Sequence, residues 1–135
     1  KACLKQFVPY ALSVTASIVL AANSYAKPPT PQNMVSSKTV SEYCRRAALP
    51  KPTQIDDAFC SAYVRGVMDA YSLLAVSNPG GEVKEYPICL DSGVSGSQLR
   101  DVFLKYVALY PEKQHFPAIL LMWSSWSIAF PCQQN

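Results

Sequence analysis

Five cysteines and one histidine are the residues of this 135-residue chain whose chemistry depends most on position. Cys3 lies at the start of an apolar stretch. The other four, Cys44, Cys60, Cys89 and Cys132, are separated by 16, 29 and 43 residues. These spacings match no zinc-binding pattern, and His115 lies far in sequence from any cysteine pair. Cys60 as a nucleophile would need a general base, for which His115 is the sole candidate. Asp56, Asp57 and Asp69 are the carboxylates that could support acid–base work. The first two are explained by the positive end of a helix dipole. Asp69 is 12 or 13 residues further along the same helix, about 18–20 Å by helical rise, too far for paired catalysis. The residue types thus favour two structural disulfides over catalysis, with no metal and no cofactor expected.

The disulfide reading depends on export. Lys1 and Lys5 flank the start of Phe7 to Ala22, an uncharged and nearly unbroken apolar run, and Ser24-Tyr25-Ala26 follows it. Small residues at two of those three positions form a signal-peptidase site, so residues 1–26 read as a cleaved signal peptide. A membrane anchor is the competing reading, since about 16 apolar residues lie near the short limit of a span. Cleavage removes Cys3 and leaves four cysteines, an even number that suits two disulfides in an oxidising compartment. Residues 27–135 then suffice for one compact domain, with no membrane contact expected after cleavage. The whole chain carries 12 basic and 9 acidic residues, ten against nine without Lys1 and Lys5. No basic run exceeds Arg45-Arg46, so nucleic acid is not an expected partner. Asn78-Pro79-Gly80-Gly81 reads as a turn and not as a phosphate loop.

Four helices are expected to position these residues. Residues 27–37 hold three prolines and read as a flexible leader. Thr39-Val40-Ser41-Glu42 has the form of a capping box opening a first helix to about Leu49, before Pro50 and Pro52. Thr53-Gln54-Ile55-Asp56 repeats it for a second helix, whose apolar stripe is Cys60, Val64, Val67, Tyr71 and Leu74. Gly66 in that helix costs about 1 kcal/mol relative to Ala. It marks either close approach by a neighbouring helix or chain, or drift at an exposed position. Ser95-Gly96-Ser97-Gln98 caps a third helix with Leu99, Val102, Phe103, Tyr106 and Tyr110 inward, ended by Pro111. Pro117 opens a fourth that runs to about Phe130. Ile119, Met122, Trp123, Trp126 and Phe130 share one of its faces, while Leu121 and Ile128 lie nearly opposite. Such a helix is central in the bundle or shared with a second chain. The fold class is therefore all-α: a small four-helix domain over residues 38–135, stapled by two disulfides. An antiparallel hairpin of the last two helices would bring Cys89 and Cys132 together, and Cys44 and Cys60 flank the turn between the first two. The pairing 44–60 with 89–132 is favoured, and 44–132 with 60–89 is the main competitor.

Several blocks recur in a known order. Phe59, Cys60, Tyr63, Gly66 and Asp69 form one. Cys89, Gly93, Val94, Ser95, Gln98 and Leu99 form a second, and Lys105, Tyr106, Pro111 and Glu112 a third. His115, Pro117 and Ala118, then the closing Ala129-Phe130-Pro131-Cys132, complete the set. In these blocks the chain resembles the Rap/Tai family of immunity proteins, which protect bacteria against amidases delivered by type VI secretion. It departs from many relatives at Leu90 and Asp91, where they place a proline, which bears on the 89–95 loop. The resemblance implies a non-enzymatic periplasmic protein that binds a cognate peptidoglycan amidase effector and blocks its cleft sterically, and it implies a homodimer. The loop best suited to that contact is Pro111 to Phe116, with Glu112, Lys113, Gln114 and His115. The 78–88 loop, with Glu82, Lys84, Glu85 and Tyr86, is the second candidate. The alternative function is a general periplasmic stress or chaperone-like binding protein, although nine acidic residues do not suggest a carboxylate-rich switch.

Overall fold

The computed structural model describes residues 33–132 apart from Pro79 and Glu82. The expected signal peptide and most of the expected leader lie outside the described residues. Four helices follow in order: α1 (Ser37–Ala47), α2 (Gln54–Ser77), α3 (Gly96–Leu109) and α4 (Ala118–Ala129), with a single 3-10 turn at Pro111–Lys113 between the last two. The described residues contain no strand, only isolated bridges at Ser36–Pro117 and Ile88–Pro131. No helix among them is long and apolar enough to cross a membrane.

Local chemistry sets most of the helix starts. Thr53 caps α2, its hydroxyl accepting the Asp56 N–H at 3.1 Å. Ser95 and Gln98 form the expected reciprocal box on α3, at 3.2 Å and 2.8 Å. α1 begins earlier than Thr39. Ser36 is its cap, its hydroxyl accepting the Thr39 N–H at 3.3 Å. The reason is tertiary: the Ser37 and Lys38 N–H groups donate to the carbonyls of Phe116 and Gln114, which satisfies α1's first donors from a distant loop. The end of the expected leader is therefore tied to the domain, and Ser37 is fully buried.

The core is one cluster drawn from every helix. α1 contributes Val40, Cys44 and Ala47, and α2 contributes Cys60, Val64, Val67 and Tyr71. Leu74, expected to continue the α2 stripe, is exposed. α2 outruns its neighbours there, and the chain turns back through Gly80 and Gly81, both at positive φ (95° and 72°), a conformation that favours glycine. The returning segment lays Val83 and Ile88 into the core. The Tyr71 hydroxyl fastens it, accepting the Ile88 N–H and donating to the Tyr86 carbonyl, both at 2.9 Å.

In α3 the inward residues are Leu99, Phe103 and Val107, with Val102 and Tyr106 half-buried. Tyr110 is exposed, contrary to the expected stripe, because the helix ends at Leu109 and the chain leaves the bundle there. α4 is the central element. Leu121 is buried along with Met122, Trp123 and Trp126, whereas Ile128 is exposed. The Trp126 indole N–H donates to the Leu99 carbonyl of α3 at 2.9 Å, and that of Trp123 to the Val67 carbonyl of α2 at 3.4 Å. Central packing, not a shared face, thus accounts for most of the apolar character on both sides of α4. The disulfides are Cys44–Cys60, joining α1 to α2, and Cys89–Cys132, joining the stretch before α3 to the stretch after α4.

Candidate functional site

The turn from α3 to α4 is an exposed loop held by hydrogen bonds within itself and to α1. Pro111 opens a 3-10 turn, and the Lys113 N–H donates to the Tyr110 carbonyl at 3.0 Å. The Phe116 N–H closes the next step on the Lys113 carbonyl at 2.9 Å. From below, α1 supplies three donors. The Ser37 N–H and hydroxyl both reach the Phe116 carbonyl, at 2.8 and 2.9 Å, and the Lys38 N–H reaches the Gln114 carbonyl at 2.9 Å. The Ala118 N–H donates to the Val35 carbonyl at 2.9 Å. Orphan donors at one helix start and orphan carbonyls of a loop satisfy each other, leaving the loop little freedom.

The expected contact residues divide by environment. Glu112 and His115 are exposed, and the His115 ring lies against that of Phe116 with centroids 4.4 Å apart. Gln114 and Lys113 are half-buried. The Lys113 ammonium is engaged within the chain, 4.2 Å from the Tyr110 ring centroid and 3.3 Å from the Tyr106 hydroxyl oxygen. Tyr86, from the second candidate loop, is half-buried with its ring 5.8 Å from that of Trp123. No hydrogen bond or ring contact among the described residues joins it to 111–116. The structure thus assembles the 111–116 residues and leaves Tyr86 apart from them.

Sequence reasoning missed the apolar rim of this loop. Met34, Val35, Leu109, Tyr110 and Phe116 are all exposed large apolar residues, and all lie within the loop, next to it in sequence, or on the segment bonded to it. Met34 and Val35 read as leader, and Tyr110 as an inward residue of the third helix. Their common signal, apolar residues outside any helical stripe, becomes visible only once the Ser36–Pro117 bridge brings the two segments side by side.

The other chemical candidates resolve structurally. All four described cysteines are in disulfides, so Cys60 offers no thiolate. Asp56 is buried, and its carboxylate accepts from the Thr53 hydroxyl and from Arg46 Nε, both at 2.7 Å. Those two bonds, with the Arg46 charge added, hold its carboxyl below the usual range against the opposing effect of burial. Asp57 and Asp69 line a groove of about 550 Å³ between α2, the 89–95 connection and the start of α3, which Arg65 and Arg100 also line. No cluster of three or more metal-ligating side chains occurs among the described residues.

Comparison with known proteins identifies the domain. Neither a curated protein nor a solved structure matches the chain. The family model of the Rap1a immunity proteins matches residues 36–132. That span starts at the α1 cap, ends at Cys132 and includes both disulfides. The chain therefore belongs to the family of Rap1a immunity proteins.

Proposed function

We propose that this immunity protein is exported to the periplasm, where it binds a cognate peptidoglycan amidase delivered by type VI secretion and blocks its catalytic cleft. The supporting observation is the 111–116 loop, pinned to α1 by three hydrogen bonds and ringed by exposed apolar residues. A steric inhibitor needs such a loop: little entropy is lost on docking, and aromatic anchors such as Phe116 and Tyr110 supply contact area. Glu112 and His115 offer polar contacts to the cleft, while Lys113 braces the loop from within. The protein acts by occupancy and performs no chemistry. Residues 1–26 serve as the signal peptide and 38–135 form the binding domain. In this reading the inhibitor is a homodimer, as the family resemblance implies.

The test is retention of secreted hydrolases on oxidised protein purified from a periplasmic extract, followed by titration of amidase activity. Recovery of an amidase whose activity disappears at a one-to-one dose supports the proposal. Retention of many unfolded clients and no hydrolase would replace it with the periplasmic stress role.

A further inference from the structure

We infer that the groove between α2, the 89–95 connection and the start of α3 binds the stem peptide of peptidoglycan; this rests on the periplasmic part of the reading above. The groove holds about 550 Å³, a size suited to a small ligand. Its apolar lining is fixed by the core. Cys60, Val64 and Leu99 are buried, and Met68, Leu90 and Val94 pack against the core cluster. Charge is added along α2, where steps of four residues carry Asp57, Ser61, Arg65 and Asp69 into the lining over about 18 Å. Asp57, Arg65 and Asp69 are exposed, and the ion pairs among the described residues involve none of them. The Arg-before-Asp order is the weaker one for pairing along a helix, which leaves both groups to a ligand. α3 contributes Arg100, whose guanidinium is steadied by Asp101 at 2.8 Å.

The lining selects the occupant by charge and length. Two guanidinium groups call for carboxylates, which arginine binds in a planar fork. Two carboxylates in the same groove call for an ammonium group and repel a polyanion such as a nucleotide. The apolar side chains between them take small apolar groups. A length of about 18 Å accommodates about five extended residues. The ligand is therefore a short peptide that carries both signs of charge and small apolar side chains. The stem peptide has that make-up: alanines, a glutamate, and a diamino acid with a free ammonium beside its carboxylates. The groove shares no residue with the 111–116 loop, so wall and amidase can be held at once. An inhibitor tethered to the stem peptide stands beside the bonds the amidase cuts, at a raised effective concentration.

The experiment is calorimetric titration of the oxidised, exported protein with synthetic stem tetrapeptide (alanine, glutamate, diaminopimelate, alanine), with no amidase present. Saturable binding with a Kd below about 1 mM is expected. Arg65→Ala and Asp69→Asn should each weaken it about fivefold at unchanged Tm, since each removes one charged contact at an exposed position. The same tetrapeptide with its carboxylates amidated should also bind more weakly. Absence of saturation at about 5 mM peptide overturns the inference, as does binding that neither substitution weakens. Loss of amidase capture in Arg65→Ala and Asp69→Asn, with no peptide bound by wild type, would assign the groove to the effector and also overturn it. Peptide binding by a protein that retains no amidase would instead overturn the inhibitor reading and leave the groove's ligand standing.

Discussion

A double substitution of Cys89 and Cys132 by Ser tests how much of this small domain's stability comes from closing loops. The two cysteines are 43 residues apart, against 16 for Cys44 and Cys60. On the loop-entropy relation the bonds are worth about 4 and about 3 kcal/mol at 25 °C. Local environment works in the other direction. Cys44 and Cys60 are 0% and 2% exposed, so replacing both by Ala also leaves a small void, on the order of 1 kcal/mol. Cys89 is exposed and Cys132 half-buried, and Ser in solvent adds little. Each double variant is therefore expected to lose about 4 kcal/mol, for different reasons, from a total that for such domains is about 5–15 kcal/mol. Urea unfolding followed by the fluorescence of Trp123 and Trp126, both buried, reads the loss directly. With a slope of about 1.5 kcal/mol per molar urea, the midpoint falls by more than about 2 M. Beside the sulfur bridge, the Cys89 N–H donates to the Phe130 carbonyl at 2.9 Å, a contact that does not itself involve sulfur. If that bond and the adjoining Ile88–Pro131 bridge hold the ends together in the denatured chain as well, the variant will lose less than about 1 kcal/mol, and loop closure is refuted as the source of stability.

Three further outcomes are expected. Trp126→Phe removes a fully buried donor to the Leu99 carbonyl and part of the core, at about 2 kcal/mol, measurable as a shift in the same urea midpoint. Because Asp56 titrates lower folded than unfolded, its stabilisation is fully present above about pH 4 and is lost as pH falls through its folded value. The acid limb of Tm against pH should therefore flatten in Asp56→Asn, and an unchanged limb would assign acid sensitivity elsewhere. Glu112→Ala and His115→Ala should each weaken amidase inhibition by about tenfold at unchanged Tm, whereas Lys113→Ala should lower Tm through its lost contacts to Tyr106 and Tyr110. Equal effects of all three on inhibition alone would place Lys113 in the interface instead.

Features decided within a few residues were legible in the sequence. The caps at Thr53 and Ser95 and the proline stops follow from short-range chemistry that tolerates few alternatives. The disulfide pairing followed once the helices were ordered, because chain connectivity brings those ends together. Periodicity also identified most of the buried stripe on α2. It could not show where burial stops: Leu74 and Tyr110 fit their stripes and are exposed, while Leu121 sits off its stripe and is buried. Periodicity states which side chains share a face, and only the neighbouring elements determine whether that face is covered. The start of α1 and the shape of the 111–116 loop belong to the same class, since the Ser37 hydroxyl finds its acceptor 79 residues away. Met34 and Val35 likewise join the loop rim only through contacts across the fold. Backbone donors left over at one element must find acceptors left over at another, and that matching exists only in the folded chain.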